Sequence, residues 1–184
     1  MYIAMSTELP SKAEKLFNTA RVTIVASTYN EKYTTALLEN CLAELKEYED
    51  YIRVNVVRVP GAFEVPMVVK RAITTAPSDK QVDAVIALGV ILKGSTAHAD
   101  LIGDAITRQL LSISCDTLTP VIHEVLLLDN EQQAFARCIA SALNRGREAA
   151  RAAIEMLRLL EEEKALSSMK QRSAGVNILG SLYH

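Results

Sequence analysis

Short apolar runs alternate with longer amphipathic stretches along most of the chain. Residues 22–27, 54–59, 84–92 and 121–128 are rich in β-branched residues and have the length of buried strands. Between them, Leu37, Leu38, Cys41, Leu42 and Leu45 recur at helical spacing, as do Leu101, Ile102, Ala105, Ile106, Leu110 and Ile113. A less regular helix follows Pro66. After the fourth strand, Asp129 with Gln132 and Gln133 reads as a capped helix start, continued by Ala134, Phe135, Cys138, Ile139 and Ala142 on one face. Gly146 reads as a bend. A last helix carries Ala149, Ala150, Ala153, Ile154, Leu157 and Leu160, and residues 165–184 are too weakly patterned to read as more than a loose tail. Strand and helix in strict alternation predict an α/β protein, a parallel sheet covered by helices in a single domain.

Composition narrows the function classes. Of 184 residues, 49% are hydrophobic, 23% are charged and none is Trp, so the core is aliphatic. A formal net charge of −2 with both signs dispersed offers no stripe for nucleic acid and no polybasic membrane anchor. Small molecules and other subunits are the expected partners. Cys41, Cys115 and Cys138 are widely spaced among helical apolar positions and are expected to be buried, reduced thiols, with no metal-ligand motif. Residues 1–19 include Glu8 and Glu14 and lack a secretory apolar run, so a cytoplasmic setting is expected.

In a parallel α/β sheet, ligands collect where strands end and helices begin, because the loops there expose N–H groups and positive helix ends. That rule selects the loops at 28–31, 60–64, 93–98 and 128–131. Gly94-Ser95-Thr96-Ala97-His98 combines hydroxyls, a helix start and a group that titrates near neutrality. It suits an oxyanion, and equally a capped helix with an exposed histidine; it is not a P-loop, because its lysine precedes the glycine. In Pro60-Gly61-Ala62-Phe63-Glu64-Val65-Pro66 the Pro-Gly turn sets Phe63 and Glu64 at a helix start, where a carboxylate can accept from hydroxyls or simply face the helix dipole. Tyr29 offers a ring for stacking, and Arg137 a planar fork suited to phosphate, though both types also occur commonly as half-buried or solvated residues.

Taken together and in order, these segments resemble the lumazine synthases. The resemblance spans residues 21–160. It rests on the Pro60–Pro66 motif, on Ala87-Leu88-Gly89-Val90-Ile91-Leu92-Lys93-Gly94-Ser95-Thr96-Ala97-His98, and on Asp129-Asn130-Glu131-Gln132-Gln133-Ala134-Phe135-Ala136-Arg137, with support from Tyr29-Asn30-Glu31 and Asn144-Arg145-Gly146. It implies a flavodoxin-like wound sheet of four parallel strands in a three-layer domain over residues 21–162, with an arm at 1–20 and a tail at 163–184.

The reaction it implies joins 5-amino-6-ribitylaminouracil to 3,4-dihydroxy-2-butanone 4-phosphate, giving 6,7-dimethyl-8-ribityllumazine, phosphate and water, without metal or other cofactor. By matching position, His98 transfers protons. Tyr29 and Asn30, with Ile91 and Leu92, border the pyrimidine; Ala62, Phe63 and Glu64 follow the ribityl chain; Ser95, Thr96 and Arg137 take the phosphate. The resemblance further implies a homopentamer with sites shared between adjacent subunits, and riboflavin synthase as a candidate partner.

The chain departs from the family pattern at two places. His123 stands where an aromatic residue is usual, and Ser141 where lysine is common, with Arg145 as the candidate replacement cation. Those departures motivate a rival reading, a relative that keeps fold and pocket as an assembly or flavin-binding protein. A generic nucleotide-binding domain is the weaker rival, since Ser27-Thr28-Tyr29-Asn30 replaces a glycine-rich loop after the first strand.

Overall fold

The computed structural model describes residues 9–12 and 14–180, of which 171–180 are described by backbone alone. The arm at 1–20 and the tail at 163–184 therefore lie partly outside the described residues. Four strands, β1 (Ala20–Ser27), β2 (Ile52–Val59), β3 (Ala84–Leu92) and β4 (Val121–Leu128), form one parallel sheet in the order β2-β1-β3-β4. All four coincide with the predicted runs, and β1 and β2 each begin two residues earlier, where Ala20 pairs with Ile52. Both of those side chains are buried at the floor of the core.

Helices α1 (Glu31–Lys46) and α5 (Arg145–Gly180) cover one face of the sheet; α2 (Val65–Thr74) and α3 (His98–Thr117) cover the other. The period of two along each strand sorts side chains between these layers. Ile24, Ile86 and Leu88 pack toward α1 and α5, while Val25, Val85 and Ala87 pack toward α2 and α3. Being covered on both faces, β1 and β3 read as continuous apolar runs. β2 is an edge strand, and there Val54 and Val56 remain 39% and 38% exposed.

Several local expectations are corrected. The helix after β4 is regular only over α4 (Glu131–Ala134); a π turn follows (Phe135–Ile139), closed by the Ala140 N–H donating to the Phe135 carbonyl at 2.9 Å. The predicted apolar stripe is thus broken, leaving Phe135 and Ala142 exposed. Cys115 is exposed, unlike Cys41 and Cys138. Leu101 is also exposed, because α3 buries only the face carrying Ile106, Leu110 and Ile113. The segment from Ala165 read as a loose tail continues α5, which runs to Gly180.

Gly146 does not bend the chain; it lies in the first turn of α5, pressed against α1. Asn144 caps this start, its Oδ1 accepting from the N–H groups of Gly146 (3.0 Å) and Arg147 (3.2 Å), while its Nδ2 donates to the Cys138 carbonyl at 2.8 Å. One to two turns further along, buried Glu44 of α1 accepts from Arg147 Nε (2.9 Å) and Arg151 Nε (2.6 Å). Burial alone would raise the Glu44 carboxyl; the bonds and charges of Arg151 and Arg147 outweigh it and hold the group below its ordinary value.

A Cβ at position 146 would stand 2.2 Å from the Leu37 carbonyl oxygen, a backbone atom that cannot rotate away. Gly146→Ala should therefore destabilise the fold by about 2 kcal/mol or more, read as a lower denaturant midpoint at unchanged slope. An unaltered midpoint would show that the two helices do not meet this closely.

Candidate functional site

The strand ends facing α1 and α3 form a rim whose loops are tied to one another. Thr28 N–H donates to the Val59 carbonyl at 2.8 Å, and Tyr29 N–H donates to the Pro60 carbonyl at 3.0 Å, joining the first two loops. Asn30 adopts a left-handed conformation (φ 55°, ψ 47°), tolerated by Asn better than by most residues. Its side chain does not cap α1 but donates from Nδ2 to the Val90 carbonyl at 2.8 Å, tying the first loop to β3. On the other side, Lys93 N–H donates to the Leu128 carbonyl at 2.9 Å, and Lys93 Nζ lies 3.0 Å from Asp100 and 3.3 Å from Asp129. The lysine of this loop thus joins β3, α3 and the loop after β4.

Ten of the predicted residues gather on this rim: Tyr29 and Asn30 after β1, Ala62 to Glu64 after β2, Ile91 and Leu92 at the end of β3, and Ser95, Thr96 and His98 at the start of α3. The rings of Tyr29 and Phe63 are 74% and 63% exposed, flat surfaces left open among the described residues. Ser95, Thr96 and His98 are exposed, and their side chains make no hydrogen bonds among the described residues. Ala97 is the N-cap residue of α3, which therefore has no side-chain cap. The capped-helix alternative for this loop is therefore not realised, and the first N–H groups of a 20-residue helix are left without a side-chain cap. Glu64 is partly engaged, its Oε2 accepting from Gly61 N–H at 2.9 Å.

The other three residues lie outside these loops, on β4, in the π turn and at the start of α5. His123 pairs in register with Ala87, while Leu128 pairs with Leu92, so His123 sits five residues back from the rim, roughly 16 Å along the strand. Its Nδ1 accepts from Val125 N–H at 3.1 Å, and its Nε2 lies 2.8 Å from Thr107 Oγ1, which itself donates to the Gly103 carbonyl. This chain requires Nε2 to carry the proton. Burial, reinforced by the Arg145 charge, holds the His123 imidazole below its ordinary value, so the ring is neutral and fixed.

Arg137 lies in the π turn and makes no hydrogen bond or ion pair among the described residues. A π turn re-aims side chains relative to a regular helix and is common at functional sites. Arg145, by contrast, is engaged: Nε and Nη2 donate to the two oxygens of Glu124 at 2.9 and 3.0 Å, and Nη1 donates to Glu148 at 2.7 Å.

Glu124 and Glu44 escaped the sequence reading, and Asn144 entered it only within the Asn144-Arg145-Gly146 match, with no role. Glu124 did carry a signal, a carboxylate inside an apolar strand, which must be paired or protonated. Its partner 21 residues away was not legible. Burial pushes the Glu124 carboxyl up to about 7 against the opposing pull of Arg145; the two-oxygen fork is the geometry of its ionised form. Burial also pushes the neighbouring Cys41 and Cys138 thiols up to about 12, so neither is a nucleophile at neutral pH.

Residues 19–161 match the family model described as 6,7-dimethyl-8-ribityllumazine synthase. Three curated proteins of that name are similar to this chain. One from Chlorobium phaeobacteroides is 41% identical, covering 78% of this chain and 90% of its own. One from Protochlamydia amoebophila is 35% identical over 86% and 90%, and one from Nitrobacter hamburgensis is 35% identical over 85% and 96%. With open rings and an uncapped helix start on its rim and a family match spanning the whole sheet, the chain belongs to the 6,7-dimethyl-8-ribityllumazine synthase family.

Proposed function

We infer that this chain condenses 5-amino-6-ribitylaminouracil with 3,4-dihydroxy-2-butanone 4-phosphate to form 6,7-dimethyl-8-ribityllumazine in riboflavin biosynthesis. The observation that carries the reading is the rim, where two exposed aromatic rings stand across from an uncapped helix start bearing His98. Tyr29, with Asn30, Ile91 and Leu92 beside it, receives the flat pyrimidine. Ala62, Phe63 and Glu64 receive the ribityl chain, Glu64 through the carboxylate oxygen not bonded to Gly61. Ser95, Thr96 and the first N–H groups of α3 receive the phosphate.

The pyrimidine amine attacks the ketone and water leaves as the imine forms. Phosphate departs with loss of a proton, and the ribityl-bearing nitrogen closes the second ring with loss of a second water. Each step moves a proton within reach of the phosphate end of the substrate, where His98 stands. Phosphate is already a good leaving group, so holding two reactants in register can supply much of the acceleration, up to roughly 7–11 kcal/mol in favourable systems.

A complete site on this reading needs two subunits. Arg137 lies in the π turn after β4, outside the loops that carry the His98 rim, and in a ring of subunits the Arg137 edge of one chain meets the rim of the next. Leu101, Leu111, Leu118 and Met67, between 64% and 85% exposed, give α2 and α3 an apolar outer surface suited to such contacts. We assign a homopentamer, with Arg137 reaching the phosphate of a neighbouring site and His123 forming a fixed neutral wall. Riboflavin synthase is its candidate partner, as the enzyme class that consumes the lumazine. Free thiols at Cys41, Cys115 and Cys138 suit a reducing cytoplasm.

The purified protein given both substrates should produce fluorescent lumazine and stoichiometric phosphate well above the spontaneous rate. A background rate alone would favour the non-catalytic flavin-binding relative. Arg137→Ala should raise KM for the keto phosphate by about tenfold or more, the loss of a charge-assisted bond, with little change for the pyrimidine; equal shifts would remove Arg137 from the phosphate. In solution the assembly should weigh five times the 20.2 kDa chain, or a multiple of that, and an active monomer would exclude a shared site.

A further inference from the structure

Glu124 has no role in the chemistry above, yet it is 5% exposed in the middle of an apolar strand and both its oxygens are taken by one guanidinium. With the bond to Glu148, three of the five N–H donors of Arg145 are used inside the chain. Arg137, close enough for its charge to act on Glu124, has all its donors free among the described residues. The β4 edge therefore carries two cations of very different availability. An anion that took the Nε and Nη2 fork of Arg145 would have to displace Glu124 and leave that buried carboxylate without its partner, a costly state.

We propose that Glu124 is a positioning residue for phosphate recognition: it holds the Arg145 fork away from the anion and leaves Arg137 as the cation this edge presents. The proposal rests on the lumazine-forming reading and refines its phosphate site. Arg145 then does not replace the cation missing at Ser141. The pairing also has a kinetic sense. Phosphate is both a substrate group and a product, and a second free cation would bind the product more tightly than release requires. Two carboxylates, Glu124 and Glu148, offset the two arginines and keep the local charge balanced.

Glu124→Gln keeps the shape and removes the charge, which frees Arg145 from a bidentate hold. Inorganic phosphate is the probe, followed by calorimetric binding and by inhibition against the keto phosphate. Glu124→Gln should bind it about fivefold to tenfold more tightly and lower KM for the keto phosphate alone, and adding Arg145→Met should remove that gain. A purely structural Glu124 would lower the melting temperature while leaving phosphate affinity unchanged or weaker, and either result overturns the proposal.

A crystal structure of the unsubstituted protein with inorganic phosphate decides the matter even if the variant does not fold. Phosphate on Arg137 with the Arg145–Glu124 fork intact supports the positioning role; phosphate on Arg145 overturns it. Failure of the two readings is distinguishable. Absent turnover with tighter phosphate binding in Glu124→Gln discards the reaction and keeps the positioning role, whereas normal turnover with unaltered phosphate affinity does the reverse.

Discussion

The contact between the start of α5 and the middle of α1 governs the layout of this molecule. At Gly146 the two backbones approach so closely that no side chain fits between them, and Asn144 can then cap α5 while also holding the end of the π turn through the Cys138 carbonyl. Glu44 locks the pair with two arginines. Because α5 begins at this one place, Arg145 arrives beside β4 and meets Glu124, and Arg137 is left on the turn that leads in. The electrostatics of the β4 edge thus follow from a packing constraint on the opposite side of the same helix.

Burial and pairing then divide the polar groups into those that hold one another in the fold and those left open to a ligand. Glu44, Glu124, Arg145, Arg147 and Arg151 are consumed by one another, and Lys93 is consumed by two aspartates. His98, Ser95, Thr96 and Arg137 are unencumbered among the described residues. The proposed ligand site is marked by polar groups that folding leaves unused rather than by a deep cavity. A groove of about 540 Å³ between α2 and α3 touches the rim only through Phe63 and otherwise follows the faces of those two helices.

The alternation of apolar runs and amphipathic stretches was enough to read all four strands and their parallel arrangement, because β1 and β3 are buried on both faces and strand-to-helix order leaves little topological choice. The same residues marked the rim: loops at strand ends, a Pro-Gly turn and a hydroxyl-rich helix start are local features, set by neighbours in sequence. Reading failed where long-range packing overrode local preference. The pattern after β4 continues a helix through Ala142, but the cap on α5 and its seat against α1 require the chain to leave the helix at Ile139. Gly146 is likewise a poor helix former that α1 requires for space rather than for a bend.

What the amino-acid order determined by itself is therefore the sheet, its layers and the chemistry of the rim, since periodicity and turn residues act over a few neighbours. Tertiary structure decided which of the charged residues remain available. The pairing of Glu124 with a residue 21 positions away, the neutral state of His123 and the freedom of Arg137 all depend on distances between elements, and an ion pair's partner is chosen by geometry in space rather than by spacing along the chain.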